Sequence, residues 1–150
     1  AGIDRAQATQ EVLSAIRSAE LIIFCPSNPF VSIGPILSVR GVREAIDASS
    51  APKVAVSPIV GGSAIKGPAA DMMRSMGFEV SPLGIAKYYR GIVNGIVIDN
   101  IDADLEENVR SLGLSVLVTN TIMNTVEDRQ RLARELLAFG SKLMSEVSVS

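Results

Sequence analysis

Four short apolar runs, mostly β-branched, punctuate this chain, and each is flanked by segments with helical spacing. That alternation constrains the fold more than any other feature. The runs occupy residues 21–25, 53–57, 95–99 and 114–118. A strand with one wet face alternates apolar and polar residues; these runs do not, so cover is expected on both faces. Between them, residues 6–18 place Val12, Leu13 and Ile16 on one helical face, and 41–48 form a short helix. Residues 68–76 form another, with Pro68 in the first turn and Gly77 as its stop. Ser81-Pro82 opens a helix to about Arg90, and Asp102 is read as the cap of one ending at Gly113. The last helix starts at Thr125, where Thr125-Val-Glu-Asp128 resembles a capping box. Its stripe is Leu132, Leu136, Phe139 and Leu143.

Strands separated by helices, joined by right-handed crossovers, give an α/β, Rossmann-like, mostly parallel sheet with helices on both faces. A doubly wound arrangement is expected, with residues 1–144 as a single domain and 145–150 as a flexible tail; the segment after Lys142 reads as weakly structured. In such sheets ligands bind beyond the carboxyl ends of the strands.

Residue usage narrows the chemistry. There is no histidine, which removes a histidine base, Ser-His or Cys-His nucleophile pairs and the usual zinc sites. Carboxylates, hydroxyls, amides, Lys/Arg or an oxygen-bound cation must serve instead. The single cysteine rules out an internal disulfide and fits a reducing cytoplasm. The opening residues lack the basic flank and apolar run of a signal peptide, and apolar runs are too short to span a membrane. A net charge of −2 and few aromatic residues leave no footprint for nucleic acid.

Two strand-end segments stand out. CPSNPFVSIGP (25–35) and SPIVGGSAIKGPA (57–69) both combine Ser, Gly and Pro, and both lead into helix starts, where unpaired amides favour a phosphate. Ser27, Asn28 and Ser32 add side-chain donors, and Gly34 lacks a Cβ that would block close approach. Gly61 and Gly62 offer the same openness in the second segment, with Lys66 as a point charge. Against this, Ser32 reads equally as an N-cap and the prolines as stiffeners of turns. Neither segment matches G-x-G-x-x-G or a P-loop.

Other residues read more plainly. Cys25 is expected in the core, as are Met72, Met73 and Met76 at helical spacing. Tyr88 and Tyr89 are expected to divide between core and rim. Asp99, Asp102 and Asp104 have the chemistry for Mg²⁺, but acids at a helix start are ordinary.

Taken together, PSNPFVSIGPIL (26–37), VAVSPIVGGSAIKGPAADMM (54–73), GFEVSPLGIAKYY (77–89) and TNTIMNT (119–125) resemble the 2-phospho-L-lactate transferase family. The resemblance runs over residues 6–139. It implies a donor of the guanosine-diphosphate type, lactyl-2-diphospho-5′-guanosine or a phosphoenolpyruvyl analogue. The implied acceptor is the deazaflavin Fo, whose ribityl hydroxyl displaces GMP with Mg²⁺ assisting, in coenzyme F-420 biosynthesis. Such a transfer relies on positioning and charge neutralisation and needs no histidine. Carried over by position, Ser27, Asn28, Ser32, Ile33 and Gly34 would meet the diphosphate or guanosine. Ser57, Gly61, Gly62 and Gly67 would line the adjacent wall.

The family's enzymes are about twice as long and open with a GGTG-type loop, which this chain lacks. The resemblance therefore implies the carboxyl-terminal half, with catalytic and metal-binding groups mainly in the other half. An incomplete sheet would expose an edge that favours self-association, and a homodimer is expected. A related gluconeogenesis-associated family binds a nucleotide-sugar as a regulatory ligand. It is the alternative, but it carries a G-P-G-S-L-Y-T-S-like first loop where this chain has PSNPFVS.

Overall fold

The computed structural model describes residues 2–147. Its centre is a four-stranded parallel sheet: β1 (Ile22–Phe24), β2 (Lys53–Val56), β5 (Gly95–Asp99) and β6 (Ser115–Thr119), adjacent in that order. A small antiparallel hairpin, β3 (Ile59–Val60) with β4 (Ser63–Ala64), follows β2 and was not expected from the sequence. The helices are α1 (Gln10–Ser18), α2 (Gly34–Leu37), α3 (Val42–Ala48), α4 (Ala69–Ser75), α5 (Pro82–Tyr89), α6 (Glu106–Arg110) and α7 (Val126–Val147).

Strand alternation sends side chains to two separate cores. Phe24, Ala55, Ile96, Ile98 and Val116 pack with residues of α3 to α6, including Ile46, Met73, Ile85, Tyr89 and Val109. On the opposite face Val54, Val56 and Val97 meet α7, through the predicted stripe Leu132, Leu136, Phe139 and Leu143, with Leu21 and Leu117 packed alongside. Close approach explains one glycine: a Cβ on Gly95 would sit 2.8 Å from the Phe139 ring.

Parallel strands and two covered faces agree with expectation. The strand order, however, advances in one direction only, so the reversal that makes a sheet doubly wound is absent among these four strands. Several boundaries also moved. Residues 6–8 are extended rather than helical: Ala8 N–H donates to the Arg40 carbonyl, Arg40 N–H donates to that of Ala6, and α1 starts after its cap Thr9. Pairing with Arg40 competes with the helix for those amides and wins. Asp99, not Asp102, caps the 3₁₀ turn Asn100–Leu105 that precedes α6. At α7 the capping box forms: Asp128 N–H donates to the Thr125 hydroxyl and Thr125 N–H to the Asp128 carboxylate. The helix continues to Val147, past the point where weak structure was expected, and residues 148–150 of the anticipated tail lie outside the described residues.

Candidate functional site

The parallel sheet directs four connections to the carboxyl ends of its strands, so the site is built there. After β1 the chain makes a tight turn, with Ser27 N–H donating to the Cys25 carbonyl at 2.7 Å. Asn28 then caps one turn of π-helix, Pro29–Ile33, its side-chain oxygen accepting from Phe30 N–H (2.9 Å) and Val31 N–H (3.2 Å). Ser32 and Ile33 amides donate to the Asn28 carbonyl, and Gly34 N–H to that of Pro29. The Pro29 carbonyl also accepts from the Tyr88 hydroxyl at 3.0 Å, while Phe30 packs against Phe78 and Tyr88. Single π-turns concentrate at functional sites, because they widen the backbone at a specific place.

This geometry redistributes the expected roles. The amides from Phe30 to Gly34 all have internal acceptors, so the helix start is not the open amide cradle that sequence reasoning anticipated. Three donors on the turn are without a partner among the described residues: the hydroxyls of half-buried Ser27 and exposed Ser32, and the backbone N–H of Asn28. Asn28's side chain instead holds the turn and reaches the Met72 sulfur at 3.4 Å. Ile33 belongs to the core. What comes close to Gly34 is protein: an added Cβ would stand 3.0 Å from the Pro29 carbonyl and 3.7 Å from the Tyr88 hydroxyl.

The segment after β2 is organised differently. Ser57 is fully buried, and its hydroxyl both donates to the Ile59 carbonyl and accepts from Ile59 N–H. Gly61 (φ +56°) and Gly62 (φ +73°) form the two-residue turn of the β3–β4 hairpin, where positive φ at both positions demands glycine or Asn/Asp. Gly61 N–H donates to both oxygens of Asp102 (3.2 and 3.1 Å), which leans the hairpin toward β5. Gly67 and Lys66 lie exposed on the approach to α4. The structure thus brings Ser27, Asn28 and Ser32 together at the β1 end, and sets Gly61 and Gly62 apart at the β5 side.

Two buried acids tie these connections together. Asp99 accepts from Thr121 N–H (2.7 Å), the Thr121 hydroxyl (2.9 Å) and Ile101 N–H (3.1 Å), joining the ends of β5 and β6. Burial pushes the Asp102 carboxyl above the ordinary carboxylate range, opposed by the Gly61 N–H and reinforced by the charges of Asp99 and Asp104. Asp99 and Asp102 are therefore committed to backbone amides, and the described residues contain no group of three acids or cysteines able to hold a metal.

Two other expectations change. Cys25 is exposed, because β1 ends one residue before it and is an edge strand. Met76 is exposed while Met73 is core and Met72 half-buried. Tyr89 is buried, its hydroxyl's pKa pushed up by burial, and Tyr88 is at the rim, as foreseen. The bonds from Tyr88 to Pro29 and from Asp102 to Gly61 escaped sequence reasoning; only the paired tyrosines gave a signal. A concavity of about 710 Å³ opens at the opposite, amino ends of the strands near Ala51, Asn94 and Gly113. Lys53, which lines it, is bound to the Ser49 and Ala51 carbonyls.

In parallel α/β sheets ligands bind beyond the carboxyl ends of the strands, which is where this polar turn lies. A Bacillus halodurans protein of solved structure shares this fold, with a TM-score of 0.56 and 21% identity over 87% of this chain and 47% of its own. Residues 1–139 match the family model described as 2-phospho-L-lactate transferase CofD, and the chain belongs to that family. A 2-phospho-L-lactate transferase of Methanocaldococcus jannaschii is 42% identical over 92% of this chain. A phosphoenolpyruvate transferase of Streptomyces griseus is 36% identical over 95% of it. This chain spans less than half the length of those relatives, 43% and 45% respectively.

Proposed function

We propose that this chain serves transfer of the 2-phospho-L-lactyl group from lactyl-2-diphospho-5′-guanosine to the ribityl hydroxyl of the deazaflavin Fo (7,8-didemethyl-8-hydroxy-5-deazariboflavin), in coenzyme F-420 biosynthesis. The hydroxyl oxygen forms the new P–O bond, the bond to the GMP oxygen breaks, and the hydroxyl proton is released to solvent or to GMP. The observation that carries this reading is the family match over residues 1–139. Within it, the open donors of Ser27, Asn28 and Ser32 suit the diphosphate, and charge-assisted hydrogen bonds of this type position rather than react. Lactyl rather than enolpyruvyl is favoured because the methanogen relative is more alike than the Streptomyces one. The proton-transfer groups and any Mg²⁺ ligands belong to the part of the family polypeptide outside this stretch. The proposal includes a cytoplasmic, dimeric enzyme acting on small molecules; among the described residues no helix is long and apolar enough to cross a membrane.

Titration calorimetry with GDP, GMP and UDP-N-acetylglucosamine tests the reading. Guanine nucleotide should bind best, and Ser32→Ala should weaken it by roughly 10- to 150-fold, the equivalent of about 1.5–3 kcal/mol for a hydrogen bond to a charged group. Preference for the UDP-sugar transfers the assignment to the regulatory, non-catalytic alternative. Unchanged affinity in Ser32→Ala removes the turn from the site.

A further inference from the structure

We infer that Tyr88 is a positioning residue for the ligand: by holding the Pro29 carbonyl, its hydroxyl fixes the π-turn, and with it the donors of Ser27, Asn28 and Ser32, against the sheet. The inference deepens the reading proposed above and rests on it, since it takes the turn as the place where the diphosphate binds. The peptide unit between Pro29 and Phe30 is pinned at both ends. Its N–H donates to the Asn28 side chain at 2.9 Å, and its C=O accepts from Gly34 N–H and, at 3.0 Å, from the Tyr88 hydroxyl. The Asn28 and Gly34 bonds join residues of the turn to one another, so they set its shape and travel with it. Tyr88 comes from 59 positions away and sets where that shape sits. Among the described residues the other polar bond reaching the turn from a distant element is Asn28 Nδ2 to the Met72 sulfur, and a thioether is a weak acceptor.

The helix that carries Tyr88 is itself fixed. Ile85, Ala86 and Tyr89 are buried in the core, and Ser81 caps α5 by accepting from Gly84 N–H. The Tyr89 ring packs on Phe24, the last residue of β1, with 5.5 Å between centroids. Tyr88, its neighbour, reaches the turn that β1 leads into, where its ring meets Phe30 edge-on at 5.3 Å. The two tyrosines thus register one helix against both a strand and the turn beyond it. Burial, opposed by the charge of Arg43, raises the Tyr88 pKa above the ordinary phenol value, so the hydroxyl stays protonated and donates at neutral pH. Ring packing tolerates small rotations, whereas a hydrogen bond is directional, so the hydroxyl holds the turn more tightly than the ring does. Donors held in place beforehand favour binding, because they lose less freedom when the ligand arrives.

GDP titration of Tyr88→Phe separates the hydroxyl from the ring. Affinity should fall about fivefold, within the range of one net hydrogen bond. Val109→Ala, a core truncation in α6, should lower stability and leave GDP affinity unchanged. In the double variant Tyr88→Phe with Ser32→Ala, the combined loss should fall short of the product of the single losses by about threefold, since an absent hydroxyl needs no positioning. Hydrogen exchange of the Ile33 and Gly34 amides should quicken about tenfold in Tyr88→Phe, while that of α5 stays as it was. Unchanged affinity or exchange in Tyr88→Phe, an equal affinity loss in Val109→Ala, or single losses that multiply in full would each overturn the inference. Ser32→Ala alone decides the reading beneath it. If that variant binds GDP as the parent does, the turn is not the site and both fall; if it binds weakly while Tyr88→Phe binds normally, the role of Tyr88 alone falls.

Discussion

The two strand-end segments look alike in sequence, and the molecule uses them in opposite ways. After β1 the backbone winds onto itself in a π-turn, and Gly34 suits it because a Cβ there would be pressed to 3.0 Å from the Pro29 carbonyl. After β2 it extends into a hairpin, and Gly61 and Gly62 are there because their φ values are positive. One segment needs glycine for contact, the other for conformation. Composition rich in Gly, Ser and Pro therefore does not identify a phosphate cradle; the destination of each amide does. In the first segment the open donors are few, and in the second the Gly61 amide serves an internal carboxylate.

Substitutions should separate the two. The largest loss is expected from Gly34→Val, about 2–3 kcal/mol, as bulk is forced against the Pro29 carbonyl and the Tyr88 hydroxyl. Urea denaturation reads it, and a loss below 1 kcal/mol would mean that the turn yields easily. Gly62→Val should cost about 1–2 kcal/mol for a left-handed residue. That loss should be confined to faster hydrogen exchange in the hairpin, leaving guanine-nucleotide affinity unchanged. Next comes Asn28→Ala, at about 1 kcal/mol for a lost cap. Ser32→Ala, whose hydroxyl is free, should stay within about 0.5 kcal/mol and show its effect in binding alone. If these two variants change places, the assignment of one residue to holding the turn and the other to the ligand is reversed.

The smallest effect concerns pH. Asp102 holds its proton more tightly folded than unfolded, so ionising it costs stability as pH rises from the ordinary carboxylate value through its raised folded one. Asp102→Asn keeps an acceptor for Gly61 N–H and removes that cost. The variant's stability relative to the parent should therefore increase from pH 3 to pH 7, as followed by urea midpoints. Asp128 acts with the opposite sign. Its folded pKa is lowered chiefly by the Thr125 N–H, so the stability it confers is present above the ordinary carboxylate range and fades as pH falls through the folded value.

Much of the architecture was legible beforehand because the code for it is local. The β5 strand and the α7 stripe follow from the spacing of apolar residues, and Thr125 with Asp128 makes its box within four residues. The hairpin carried a signal too, Gly-Gly between short apolar runs, but two-residue strands fall below what periodicity can register. The π-turn carried none, since an i→i+5 bond has no residue preference of its own. Cys25 and Met76 were misplaced because an edge strand and a short helix bury only part of what their apolar character invites.

Spacing along the chain was thus enough for the parallel α/β class, for most elements and for the choice of the carboxyl strand ends as the place to look. The division of labour there depended on partners far apart in sequence: Tyr88 with Pro29 across 59 positions, Asp102 with Gly61 across 41, Thr121 with Asp99 across 22. A hydrogen bond is satisfied or left open only when sheet register and helix packing have placed its two ends. Which donors remain for a ligand could be read only once the chain had closed on itself.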